Sequence, residues 1–170
     1  MNDEDLLLIE RYNQGDENAF ATLFAKYQRS IYAICYRFVR NEEDARELTQ
    51  EIFIRIARGI KHFNKKSKFF TWLYRIAVNT CISFKRKYRE TEEFNGSMSN
   101  IPPRNLILKK AIDDALAKLP PRQRMAFILR HYEGYTFEEI GTIMAISTGA
   151  AKANHFQAIR KLRVLLKDWL

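Results

Sequence analysis

The chain has 170 residues, a formal charge of +9 and 46% hydrophobic residues, with only six glycines and four prolines. That apolar content suffices to bury a core, and the scarcity of Gly and Pro argues against a turn-rich all-β protein. The cationic excess points to nucleic acid or another anionic partner, and no run of about 18 apolar residues exists that could span a bilayer.

The N-terminus, MNDEDLLLIERYNQGDE, is acidic and lacks the basic flank and cleavage site of a signal peptide, so a cytoplasmic protein without membrane insertion is expected. Asp3 to Tyr12 reads as a short helix, broken at Asn13-Gln14-Gly15. Asp16 can cap a long amphipathic helix reaching about Val39, in which Leu23, Tyr27, Ile31, Ile34 and Phe38 recur at helical spacing. Asn41 caps a third helix ending at Gly59, with Ala45, Leu48, Ile52, Phe53 and Ile56 on its buried side. Glu43, Glu47, Gln50, Glu51 and Ile54 share the opposite side. That side is either a solvated face or a docking surface for a basic protein, on which Ile54 would be covered.

Lys61 to Arg89 holds nine Lys and Arg residues and no Asp or Glu, interleaved with seven aromatic rings. From Lys68 onward its period is helical: Phe69, Leu73, Ile76, Ala77, Thr80 and Phe84 share one face, and Lys68, Trp72, Arg75, Asn79 and Arg86 another. Cations suit a phosphate backbone, while a ring and a carboxamide suit unstacked bases. Glu90 to Asn105 is polar, without period, and reads as a flexible tether.

Helical pattern resumes over Leu106 to Leu119, and Pro120-Pro121 separates it from a helix running to about Tyr132. Thr136 and Glu139 form a capping box before FEEIGTIM. A break at Ala145-Ile146-Ser147 and a basic helix from Thr148 to Leu166 complete a helix-turn-helix pattern, with small Gly141 in its first helix. The expected fold is therefore all-α: two small helical domains, residues 1–89 and 106–170, joined by a flexible linker at 90–105. Cys35 and Cys81 lie in apolar patterns and read as core thiols. His62, His131 and His155 lack the partners of a metal or nucleophile site, and there is no Gly-rich phosphate loop; no enzyme, metal or cofactor is expected.

DARELTQEIFIRIARGIKHFNKKSKFFTWLYRIAVNT resembles the second region of bacterial RNA polymerase sigma factors of the extracytoplasmic-function group. AIDDALAKLPPRQRMAFILRHYEGYTFEEIGTIMAISTGAAKANHFQAIRKLR is similar to their fourth region. The resemblance implies that Asp44, Glu47, Gln50 and Glu51, with Ile54 beside them, engage core RNA polymerase. It implies that Phe63 and Asn79 capture an unstacked base of the −10 element, while Lys65, Lys66, Trp72, Arg75 and Arg86 hold the melted strand. Arg130, Glu138, Lys152, Asn154, Phe156 and Gln157 match positions facing the −35 duplex. The linker would thread toward the active-site cleft, and an anti-sigma partner is implied because the group is usually held inactive by one. Asn154 and Gln157 stand where the group often has Arg, and His155 where it usually has a buried Leu, which suggests a buried neutral imidazole with one hydrogen bond. A stand-alone helix-turn-helix repressor with an N-terminal dimerisation bundle is the alternative, but it leaves TQEIF and the aromatic-basic loop without a role.

Overall fold

A computed structural model describes residues 3–84 and 104–169. The described residues form eight α-helices: α1 (Asp3–Asn13), α2 (Glu17–Val39), α3 (Glu42–Gly59), α4 (Phe69–Ser83), α5 (Arg104–Ala117), α6 (Pro121–His131), α7 (Phe137–Met144) and α8 (Thr148–Leu165). The all-α expectation holds, and each boundary has a local cause. The Asp16 carboxylate accepts from the Asn18 N–H at the start of α2, and the Asn41 side chain accepts from the Asp44 N–H at the start of α3. Thr136 and Glu139 form the reciprocal capping box of α7, and Ser147 accepts from the Ala150 N–H at the start of α8. The tether at 90–105 lies almost wholly outside the described residues, as does Arg86.

In the first module α1 to α4 pack around Leu23, Ile31, Ile34, Ile52, Ile56 and Leu73, all almost completely buried. Helix α1 is fastened to α2 through Asp5, which is 2% exposed. Its carboxylate accepts from Lys26 Nζ and from the Tyr27 hydroxyl, both at 2.6 Å. The bond to Asp5 raises the Lys26 pKa, and burial raises that of Tyr27, so the ammonium and the phenol keep their protons. Cys35 and Cys81 are buried core thiols as expected, with Sγ atoms 3.8 Å apart.

The second module has one core between α6, α7 and α8, around Met125, Ile128, Leu129, Ile140 and Ala151, and a smaller cluster where α5 meets α8 at Leu116, Leu119, Ala158 and Leu162. Gly141 is required by the turn: an added Cβ would lie 2.9 Å from the Ile146 carbonyl oxygen, and the Ile146 N–H donates to the Gly141 carbonyl at 2.9 Å. The room is needed for the backbone of the turn itself.

The two modules are in contact. One continuous buried cluster runs from the first module into α6 and α7. The expected buried face of α4 is borne out at Phe69, Leu73, Ala77 and Thr80, whereas Ile76 and Phe84 are half-buried. Tyr74 and Val78 are buried as well, and Tyr74 is covered by Tyr135 just ahead of α7, with ring centroids 5.9 Å apart. Helix α4 is thus apolar around more of its circumference than one stripe requires.

Candidate nucleic-acid interface

Gly59 ends α3, and a 3-10 turn over Ile60–His62 leads into the basic loop. Ile60 and Phe63, three residues apart, both point inward and anchor that loop. The Phe63 ring is 8% exposed, with centroids 5.6 Å from Phe69 and 5.4 Å from Trp72. This differs from the expectation of a ring offered to a base. Phe63 is occupied as part of the floor, because a loop with so few apolar residues needs an anchor. The groups the loop presents outward are Asn64, Lys65 and Lys66. The Asn64 side chain accepts from the Lys66 N–H at 3.2 Å, and Lys65 adopts a left-handed backbone (φ 58°) with Nζ 2.7 Å from Glu10 on α1.

On α4, Arg75 and Asn79 are exposed one turn apart and Trp72 is half-buried beside them. The expected face therefore exists, with Trp72 forming its edge. Arg75 is engaged within the chain: its Nη2 donates to the Thr142 carbonyl of α7 at 3.0 Å.

In the second module Lys152, Phe156 and Gln157 are exposed on α8, with Phe156 at 64% exposure. Glu138 is exposed in the first turn of α7. Arg130 is exposed at the end of α6, donating to the Tyr135 carbonyl at 2.9 Å and lying over the Phe137 ring. Asn154 is half-buried and its amide donates to the Ala150 carbonyl at 2.9 Å, so it turns back on its own helix instead of outward with the others. His155 is half-buried, and its Nε2 shares a hydrogen bond with Nε2 of His131 at 2.9 Å. Burial depresses both imidazole pKa values, the neighbouring Arg130 adding to the effect.

The acidic stripe on α3 is exposed at Glu47, Gln50 and Ile54, while Glu51 is half-buried and accepts from Arg55 Nε at 2.6 Å. Asp44 departs from it: the residue is 5% exposed, turned inward in the first turn of α3. The resemblance alone groups it with Glu47, Gln50 and Glu51. A groove of about 390 Å³ runs between Glu47, Gln50, Glu51 and Ile54 on α3 and Thr80, Ser83 and Phe84 at the end of α4. Local periodicity carries no trace of that junction, because it depends on how α3 and α4 cross.

Residues 23–91 match the family model for Sigma-70 region 2, and residues 109–162 that for Sigma-70 region 4. The chain is 32% identical to the RNA polymerase sigma-H factor of Pseudomonas aeruginosa, over 92% of this chain and 90% of that one. It is 33% identical to the ECF RNA polymerase sigma-E factor of Escherichia coli, over 91% and 90% of the two chains. The chain belongs to the extracytoplasmic-function sigma factors of RNA polymerase. The fold agrees. CnrH in complex with the cytosolic domain of CnrY superposes with a TM-score of 0.72 at 23% identity, covering 97% of this chain and 98% of that one. RpoE in complex with the anti-sigma factor NepR, from Bartonella quintana, gives 0.62 at 20% identity, covering 87% and 96%. Membership in the sigma factors assigns a promoter-specificity role with RNA polymerase, which is not an enzymatic one. No described helix is long and apolar enough to cross a membrane.

Proposed function

We propose that this sigma factor reads two promoter elements with two modules, residues 1–89 and 106–170, acting in the cytoplasm. The observation that carries the reading is the exposed pair Arg75 and Asn79 on a helix entered from a loop that offers Asn64, Lys65 and Lys66. A cation for phosphate and a carboxamide for a base edge, on a rigid element, are what a melted strand needs. Holding a flipped base costs a few kcal/mol, which stacking and hydrogen bonds must offset. Phe63 and Trp72 serve as the floor and edge of the base site, with Lys65, Lys66 and Arg75 along the strand. Lys152, Phe156 and Gln157, with Arg130 and Glu138, face the −35 duplex. Asn154 contributes only if its amide leaves Ala150.

Glu47, Gln50, Glu51 and Ile54 form the polymerase contact, in keeping with the apolar-and-acidic groove they line. An anti-sigma partner is proposed from the resemblance, supported by the anti-sigma complex among the similar folds. The test is run-off transcription with core polymerase on promoters mapped by chromatin capture. Specific initiation that depends on added protein is expected, and initiation indifferent to it would sink the reading.

A further inference from the structure

Cys35 on α2 and Cys81 on α4 are the chain's only thiols, and neither belongs to the residues read as DNA or polymerase contacts. They stand 46 positions apart in sequence and meet in the core of the first module, with Sγ atoms 3.8 Å apart. Bonded disulfide sulfurs are about 2.05 Å apart, so closing the pair takes an approach of about 1.8 Å. The contact with Cys81 lowers the Cys35 pKa, with Thr49 adding to the effect, while the same contact and burial push that of Cys81 up. Cys35 is thereby the nucleophile of the two and Cys81 the thiol that resolves it. The pair lies beneath the last turn of α4. That turn is closed by the Ser83 hydroxyl, donating to the Asn79 carbonyl at 2.8 Å, and by the Phe84 N–H, donating to the Cys81 carbonyl at 3.1 Å. Helix ends open at low free energy, which gives a small oxidant a route to thiols that the closed core covers.

We propose that Cys35 and Cys81 are a redox-active dithiol, which a peroxide oxidises to a disulfide that pins the end of α4 to α2 and weakens the hold of α4 on a melted strand. With hydrogen peroxide, the Cys35 thiolate attacks one oxygen and the O–O bond breaks. Cys35 becomes a sulfenic acid, and the departing hydroxide takes up the thiol proton as water. The Cys81 sulfur then attacks the Cys35 sulfur, the S–S bond forms, and the Cys81 proton leaves with the sulfenic oxygen as a second water. Two thiols lose two electrons and the peroxide gains them. With Cys81 already in contact, the sulfenic acid condenses before it can climb to sulfinic acid. In a reducing compartment such a bond is transient, which suits sensing and not structure. The effect on DNA, which rests on the reading of α4 as the −10-facing helix, runs through Asn79, two residues before Cys81. A close-packed core cannot absorb the whole approach of the sulfurs without moving that turn, and a recognition group tolerates only about 0.5 Å.

The test compares full-length protein reduced with dithiothreitol and the same protein exposed to hydrogen peroxide. Free thiols are counted by alkylation with N-ethylmaleimide under denaturing conditions and mass spectrometry. Strand binding is followed by anisotropy with a fluorescein-labelled single-stranded oligonucleotide of mixed sequence. Peroxide is expected to remove both alkylation sites with the loss of two hydrogens in mass, and to weaken strand binding about tenfold. Dithiothreitol should restore both readings, which separates the disulfide from methionine oxidation, a change it does not reverse. Cys81→Ala, which cannot form the bond, should keep its affinity through the treatment. Two thiols still alkylated after peroxide would overturn the dithiol. A disulfide formed with no change in affinity would overturn its link to Asn79. Absence of strand binding in both forms would overturn the DNA-facing reading of α4, and the switch with it, while leaving the thiol chemistry in place.

Discussion

The ring of Phe63 sits 5.4 Å from that of Trp72, tilted by 50°, and Asn79 follows Trp72 two turns along the same helix. Phe63 lies at the root of the proposed base site, and Asn79 is exposed at its rim. The two positions should therefore fail in different ways when changed.

Phe63→Ala removes a buried ring and is expected to cost about 3–5 kcal/mol in urea denaturation, since the surrounding rings cannot close the cavity fully. Asn79→Ala removes an exposed carboxamide and should leave stability within about 0.5 kcal/mol. It should impair promoter opening, seen by permanganate reactivity, more than duplex association in a gel shift. Equal loss in the two assays would count against a role for Asn79 with the unpaired base.

Gly141→Ala is expected to cost about 1–3 kcal/mol, because the new methyl meets a backbone oxygen and only the turn can move. The displaced turn positions α8, so −35 duplex binding should fall while the first module keeps its fold. Amide exchange resolved by module would show this, with faster exchange confined to α7 and α8.

Much of this arrangement is legible before any coordinates. Thr136 and Glu139 mark the start of α7, and the spacing of Leu23, Tyr27, Ile31, Ile34 and Phe38 marks α2, because capping and helical burial act over a few residues. Tyr74 and Val78 could not be placed in the same way. Tyr74 is covered by Tyr135 of the second module, which also reaches α4 through Thr142 and Arg75, 67 positions apart. Phe63, Asp44 and Asn154 are of another kind. Their residue types suit an interface, but Phe63 and Asp44 are turned into the protein and Asn154 toward its own backbone. Periodicity names the face of a helix and says nothing of which polar side chain turns inward.

Polymerase docking isolates the exposed part of the α3 stripe. Ile54 is 45% exposed, so Ile54→Asp should leave stability within about 0.5 kcal/mol. Combined with Glu51→Lys, it should weaken association with core polymerase at least tenfold, about 1.4 kcal/mol, in a competition assay against the unaltered chain. Binding of a −35 duplex by the same variant should not change. Undiminished polymerase affinity would move the docking surface away from this groove.

The His131–His155 pair gives the second module a pH dependence whose sign follows from its setting. Neutral imidazoles suit the pair, since one Nε2–H can donate to the lone pair of the other, while a proton on every ring nitrogen would set two N–H groups against each other. Burial lowers both pKa values below the ordinary 6.5, so in the interval beneath 6.5 the unfolded chain binds more protons than the folded one. Stability therefore rises with pH through that interval. The contribution is fully present above about pH 6.5 and is lost as pH falls toward the depressed folded values. The thermal midpoint of the second module should fall between about pH 7.5 and about pH 5.5. His155→Leu, which supplies the residue usual at this position in the group, should flatten that slope, because only His131 would remain to titrate. An equally steep slope in the variant would place the titrating group elsewhere.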